Sequence, residues 1–113
     1  MHRLIEDNRA AIAALCQRYG VSKLEVFGSA ARAADFDELA SDADFLVEFQ
    51  RPGELGPLEE FFGLRADLSA LLRRPVDLVE PGAIKNPYLL KDINRARELV
   101  YAEKMMELVV KGI

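Results

Sequence analysis

Three aspartates and one glycine–serine pair are the residues whose types and spacing could do chemistry. Asp42 and Asp44 lie two apart in Asp42-Ala43-Asp44-Phe45-Leu46-Val47-Glu48-Phe49. In a strand, residues two apart point to one face, so both carboxylates would project together. Leu46 and Glu48 continue that face, while Ala43, Phe45, Val47 and Phe49 form an apolar stripe on the other. Like charges side by side raise each other's cost of ionisation, and strands are depleted in Asp. A divalent cation removes that cost, and hard carboxylate oxygens suit magnesium. The alternative is a solvated strand start in an acidic surface. Asp77, in Val76-Asp77-Leu78-Val79, is a third carboxylate that can meet the pair if the strands are neighbours. Gly28-Ser29 stands where a strand turns into a helix; glycine lets backbone approach a ligand closely, and amides at a helix start favour phosphate. Such a turn is also commonly structural, and no P-loop pattern follows it. Three carboxylates around a cation, opposite a phosphate-holding turn, would form a phosphoryl- or nucleotidyl-transfer site.

The elements that must position these groups follow from periodicity and punctuation. Leu4/Ile5, Ala11/Ile12, Leu15/Cys16 and Tyr19 recur at helical spacing and predict one helix over the first twenty residues, stopped by Gly20. Residues 23–27 read as a strand, 30–34 as a short helix, 35–41 as a loop and 42–49 as a second strand. Pro57 suits the first turn of a third helix whose apolar face is Leu58, Phe61/Phe62, Leu64, Leu68 and Leu71/Leu72. Residues 76–79 make a third strand, and Asn86-Pro87 predicts an N-cap with proline behind it. A last helix from Pro87 to Lys111 would span roughly 37 Å at 1.5 Å per residue. A domain this size has a radius of gyration of about 13 Å, so that helix should break or project. Its distal Tyr101, Met105, Met106, Leu108, Val109, Val110 and Ile113 read as surface for a partner or an oligomer, with Tyr101 equally able to finish the core. The order α-β-α-β-α-β-α around a small sheet places the chain in the α/β or α+β class, as one domain over residues 1–113.

Composition narrows the function classes. Fifteen basic against nineteen acidic residues give a net charge of −4, which argues against a general electrostatic grip on nucleic acid. One cysteine, Cys16, excludes an internal disulfide and a cysteine-based zinc cluster, and reads as a core residue. The one histidine, His2, sits at the chain start, away from any triad. No apolar run approaches the ~18 residues of a membrane span, and the charged start has no apolar signal core. The expected setting is cytoplasmic. Any chemistry falls to carboxylates, backbone amides, Ser/Thr, Arg or Lys.

Gly28-Ser29-Ala30-Ala31-Arg32 followed by Ser41-Asp42-Ala43-Asp44-Phe45-Leu46-Val47 resembles the G-S-x-A-R-G … S-D-x-D-[LF]-x-V signature of the minimal nucleotidyltransferases, small members of the DNA polymerase β-like superfamily. The resemblance covers almost the whole chain. It implies a mixed sheet packed by helices, Mg²⁺ and an NTP substrate, usually ATP. It also implies that Gly28 and Ser29 hold phosphate and that Asp42, Asp44 and Asp77 hold metal, with Asp77 as the base; Arg32 matches the family arginine and reads either as a phosphate or structural contact or as a solvent-facing helix residue. Ala33 stands where the motif usually has glycine, which would restrict the turn behind the phosphate site. Proteins of this kind are commonly antitoxins of HEPN-type toxins, which they modify by adenylylation. The resemblance therefore implies transfer of AMP to a protein hydroxyl. Two alternatives stay open: an antitoxin that masks its toxin by binding, and nucleotidyl transfer to a small molecule.

Overall fold

The computed structural model describes residues 3–28, 42–50 and 55–103. The predicted helix 30–34, the loop 35–41 and the segment from Met105 onward lie outside them. The leading helix is in two pieces, α1 (Arg3–Asp7) and α2 (Arg9–Arg18), rather than one. The break falls at Asn8, whose side-chain Nδ2 donates to the Leu4 carbonyl at 2.8 Å. Asparagine offers the backbone a competing partner in this way, which disfavours it inside a helix. Gly20, at φ 70°, turns the chain into β1 (Val21–Phe27).

After β2 (Ala43–Phe49) comes α3 (Pro57–Leu72), opened by proline and closed by Arg73 in the left-handed conformation at φ 56°. Next is β3 (Val76–Val79), then a 3-10 turn at Pro81–Ala83. The Asn86 side chain accepts from the Tyr88 and Leu89 amides and caps α4 (Pro87–Ala96), as the Asn-Pro signal predicts. That helix does not continue to Lys111. It stops at Ala96, and Glu98–Ala102 forms a fourth strand, β4, antiparallel to β1. Of the two outcomes expected for so long a helix, the break occurs. Val100 and Tyr101, a β-branched and an aromatic residue, are buried in that strand and close the free side of β1.

The sheet order is β3-β2-β1-β4, with β1–β2 and β1–β4 antiparallel and β2–β3 parallel: the mixed sheet of the expected class. One face is apolar. Leu24, Val26, Phe45 and Val47 join Ile12 and Cys16 of α2 and Leu64, Leu68 and Leu72 of α3 in a single core. The buried stripe of α3 differs from the predicted face. It runs Glu60, Leu64, Leu68, Leu72, strict i,i+4 spacing, so Leu58 is 72% exposed and Phe62 50% exposed. Phe61 packs against the core at its edge, but Phe62 is not a core residue.

Candidate active site

The other face of the sheet carries the charges. Along β1 and β2 it presents Phe27 beside Asp44, Glu25 beside Leu46, and Lys23 beside Glu48, and β3 adds Asp77 directly beside Asp44. Parallel pairing of two four-residue stretches thus brings together two carboxylates that are 33 positions apart in sequence. Asp42, exposed at the entrance to β2, adds its charge. Burial, then the charge and hydrogen bond of Asp77, then the charge of Asp42 push the Asp44 carboxyl up to about 6.

The acidic groups of this face divide into two sets. Glu48 pairs with Lys23 at 3.1 Å, and Glu25 lies 3.4 Å from Lys23 and 3.5 Å from Arg97. Asp42, Asp44 and Asp77 form no ion pair with a cation among the described residues. The acidic charge left unbalanced therefore collects at one end of the face, where β1 ends at Phe27.

Gly28 sits at that end with φ 68°. A Cβ built there would lie 2.6 Å from Asp44 Oδ2. Only glycine combines this left-handed backbone with so close an approach to a carboxylate. The glycine is thus packed against Asp44 itself, closer than an opposing wall. Ser29 and Arg32, the other expected phosphate contacts, lie outside the described residues, as does Ala33. Cys16 is fully buried on the opposite face, its thiol pushed up to about 12 by burial, so it is no nucleophile.

The donor set fits magnesium. That ion keeps several waters and takes one or two protein carboxylates together with substrate phosphates. Two hard carboxylates side by side, with a third entering from solvent, match that demand. Among the described residues no group of three His, Cys, Asp or Glu side chains is placed to hold a metal ion together, so Asp42 does not join Asp44 and Asp77 in one cluster as the sequence leads one to expect.

One feature of the site is invisible in the motifs. Phe62, Arg65, Ala66, Ser69, Pro75, Val76 and Asp77 line a cleft of about 440 Å³ between α3 and β3. The Arg65 guanidinium lies over the Phe62 ring at 5.3 Å. The hint in the sequence was an apolar residue off the i,i+4 stripe, with Arg three positions later on the same helix surface.

Comparison with known proteins shows to which class this mixed sheet belongs. The sequence profile of the nucleotidyltransferase domain matches residues 9–100, and the chain belongs to that family, as a minimal nucleotidyltransferase of the polymerase β-like kind. Two proteins of Methanocaldococcus jannaschii named "Putative protein adenylyltransferase" are 44% and 37% identical over 88 and 87 residues, each match covering 77% of this chain and 82% of the relative. A solved structure described as a "putative minimal nucleotidyltransferase" superposes with a TM-score of 0.68 at 30% identity, covering 87% of this chain and 95% of that one. The fold also matches a chain of a tri-AMPylated Shewanella oneidensis HEPN toxin in complex with an MNT antitoxin. There the TM-score is 0.59 at 17% identity, over 93% of this chain and 78% of that one.

Proposed function

We propose that this nucleotidyltransferase moves AMP from ATP to a hydroxyl of a protein partner, in the cytoplasm, and that the partner is a HEPN-type toxin which it silences as an antitoxin. The observation that carries the reading is the Asp44–Asp77 pair, uncompensated by any described cation, with the Gly28 backbone packed against Asp44. The names of the 44% and 37% identical relatives support a protein acceptor. The fold likeness to chains from toxin–antitoxin complexes, one of them with AMP-PNP, supports the partner and the nucleotide.

In this reading Gly28, Ser29 and Arg32 hold the triphosphate, and Asp42, Asp44 and Asp77 hold Mg²⁺. The bound ion supplies charge neutralisation at the phosphates and orients them. Asp77 takes the proton of the acceptor hydroxyl. The hydroxyl oxygen forms a bond to the α-phosphorus while the bond from that phosphorus to the bridging oxygen breaks, and pyrophosphate leaves. Electrostatic placement of charge, rather than covalent catalysis by the protein, carries the acceleration.

The test is co-expression with a HEPN-type toxin. Asp42→Asn should lose both modification of the toxin and its neutralisation, with the fold intact by thermal unfolding. Full neutralisation by Asp42→Asn without modification would show that masking, not transfer, does the work.

A further inference from the structure

We infer that Arg97 is a further substrate-binding residue of the transfer site, its guanidinium gripping the part of the triphosphate that leaves as pyrophosphate. The inference rests on the transfer reading above and adds a residue that no motif contains.

Position comes first. β4 begins at Glu98, which pairs with Val26 of β1. Carrying that antiparallel register back by one residue sets Arg97 beside Phe27, whose neighbour on the other side is Asp44. Across the four strands, the row at the acidic end of the sheet therefore reads Arg97, Phe27, Asp44, Asp77. The Arg97 backbone is fixed from both directions. Its amide donates to the Ile93 carbonyl at 2.9 Å and closes α4, and its extended conformation (φ −67°, ψ 139°) leads directly into β4. Its side chain lies on the face of the aspartates, because it reaches Glu25, and strand alternation puts Glu25 on the face of Phe27 and Asp44.

The side chain is held, yet not used up. Arg97 Nε lies 3.5 Å from Oε2 of Glu25, whose side chain is only 10% exposed. Among the described residues Arg97 makes no other ion pair or side-chain hydrogen bond, and its side chain is 37% exposed. A guanidinium has more N–H donors than one carboxylate can take, so donors remain for a second anion. Lys23 is different: that ammonium is taken by Glu25 at 3.4 Å and by Glu48 at 3.1 Å. Phe27 stands between Arg97 and Asp44, and no ion pair joins those two.

Charge then sets the direction of the phosphate chain. The carboxylates of the row stand on β2 and β3, and its cation stands on β4. Neighbouring strands are about 4.8 Å apart, so Asp44 and Arg97 arise about 10 Å from each other. A triphosphate anchored at the carboxylates and an arginine side chain reaching forward from β4 can close that span between them. Magnesium leaves net negative charge on the phosphates, and more gathers on the pyrophosphate as the bond to the α-phosphorus breaks. Beside three aspartates, that charge is favoured on the side that offers a cation. An arginine already ordered by its own carboxylate binds phosphate in bidentate geometry with little further ordering cost.

The experiment titrates the full chain, in the presence of Mg²⁺, with a fluorescent ATP analogue and with the matching AMP analogue. Arg97→Gln should weaken the ATP analogue at least tenfold and leave the AMP analogue within twofold. Arg97→Lys keeps a charge for Glu25 but has no fork to share with phosphate, and should weaken the ATP analogue at least threefold. That variant carries the test if Arg97→Gln no longer unfolds cooperatively on heating. Arg95→Gln removes the same charge from an exposed position two residues earlier on α4, and should leave both affinities within twofold. Unchanged affinity for the ATP analogue in the Arg97 variants overturns the inference. So does an equal loss in Arg95→Gln, the mark of a diffuse effect of net charge. An equal loss for the AMP analogue overturns it too, since Arg97 would then act on the nucleoside end. Wild type that fails to bind the ATP analogue overturns the transfer reading itself.

Discussion

At the scale of single residues, the site is a place where the fold is held at a cost. Asp44 has its carboxyl raised from 3.8 to about 6 by burial and by its acidic neighbours. A group whose folded value is raised contributes stability that is full below its unfolded value and is lost as pH rises through the folded one. Without metal, wild type should therefore lose stability between about pH 4 and pH 7 relative to Asp44→Asn. After solvent screening is discounted, the gain for the variant at pH 7.5 should be about 1 kcal/mol. Thermal unfolding in EDTA at pH 4 and pH 7.5 checks this: the variant should be the more stable at the higher pH only, while inactive at both. Gly28→Ala puts a methyl 2.6 Å from Asp44 Oδ2 at φ 68°. It should cost about 1–2 kcal/mol from the left-handed backbone alone. Because the methyl also displaces the carboxylate, transfer should fall at least a hundredfold, read by product formation at saturating ATP.

Individual elements show where local pattern is informative and where it is overruled. The Asn86 cap and the strand at Val76–Val79 were readable because each depends on a few adjacent residues. β4 was not. Its residues follow a helix-compatible run, and only the unpaired side of β1, a long-range partner, makes them a strand. The buried face of α3 departs from the predicted one for a related reason. Its stripe starts on buried Glu60, and a charged residue does not register as core. The α2–α3 packing gives a prediction of its own. Gly63 lies under the Tyr19 ring, where a Cβ would come 2.5 Å from Tyr19 Cε1, and the Tyr19 hydroxyl donates to Asp67. Gly→Ala inside a helix normally stabilises by about 0.5–1 kcal/mol. Here Gly63→Ala should instead destabilise by about 1–3 kcal/mol through the clash. In a Tyr19→Ala background the sign should revert, as denaturant unfolding of the four proteins would show.

Over the whole molecule, division of labour between the two sheet faces accounts for both the fold and the site. The apolar face carries the core with α2 and α3, and the opposite face gathers acidic charge at one end and neutralises it at the other through Lys23 and Arg97. The aspartates at 42, 44 and 77 and Gly28 were legible in the sequence because strand alternation and turn chemistry are local rules. The convergence of Asp77 on Asp44 needed the parallel β2–β3 register, and the Phe62–Arg65 cleft needed the docking of α3 on β3. Neither is written in any one segment. The most direct measurement of the central claim is transfer from ATP labelled at either the α- or the γ-phosphate to the protein partner, in the presence of Mg²⁺. Label should enter the partner from the α-position only, with pyrophosphate released, and Asp44→Asn or Asp77→Asn should abolish it. Label entering from the γ-position, or transfer that survives both substitutions, would contradict the account.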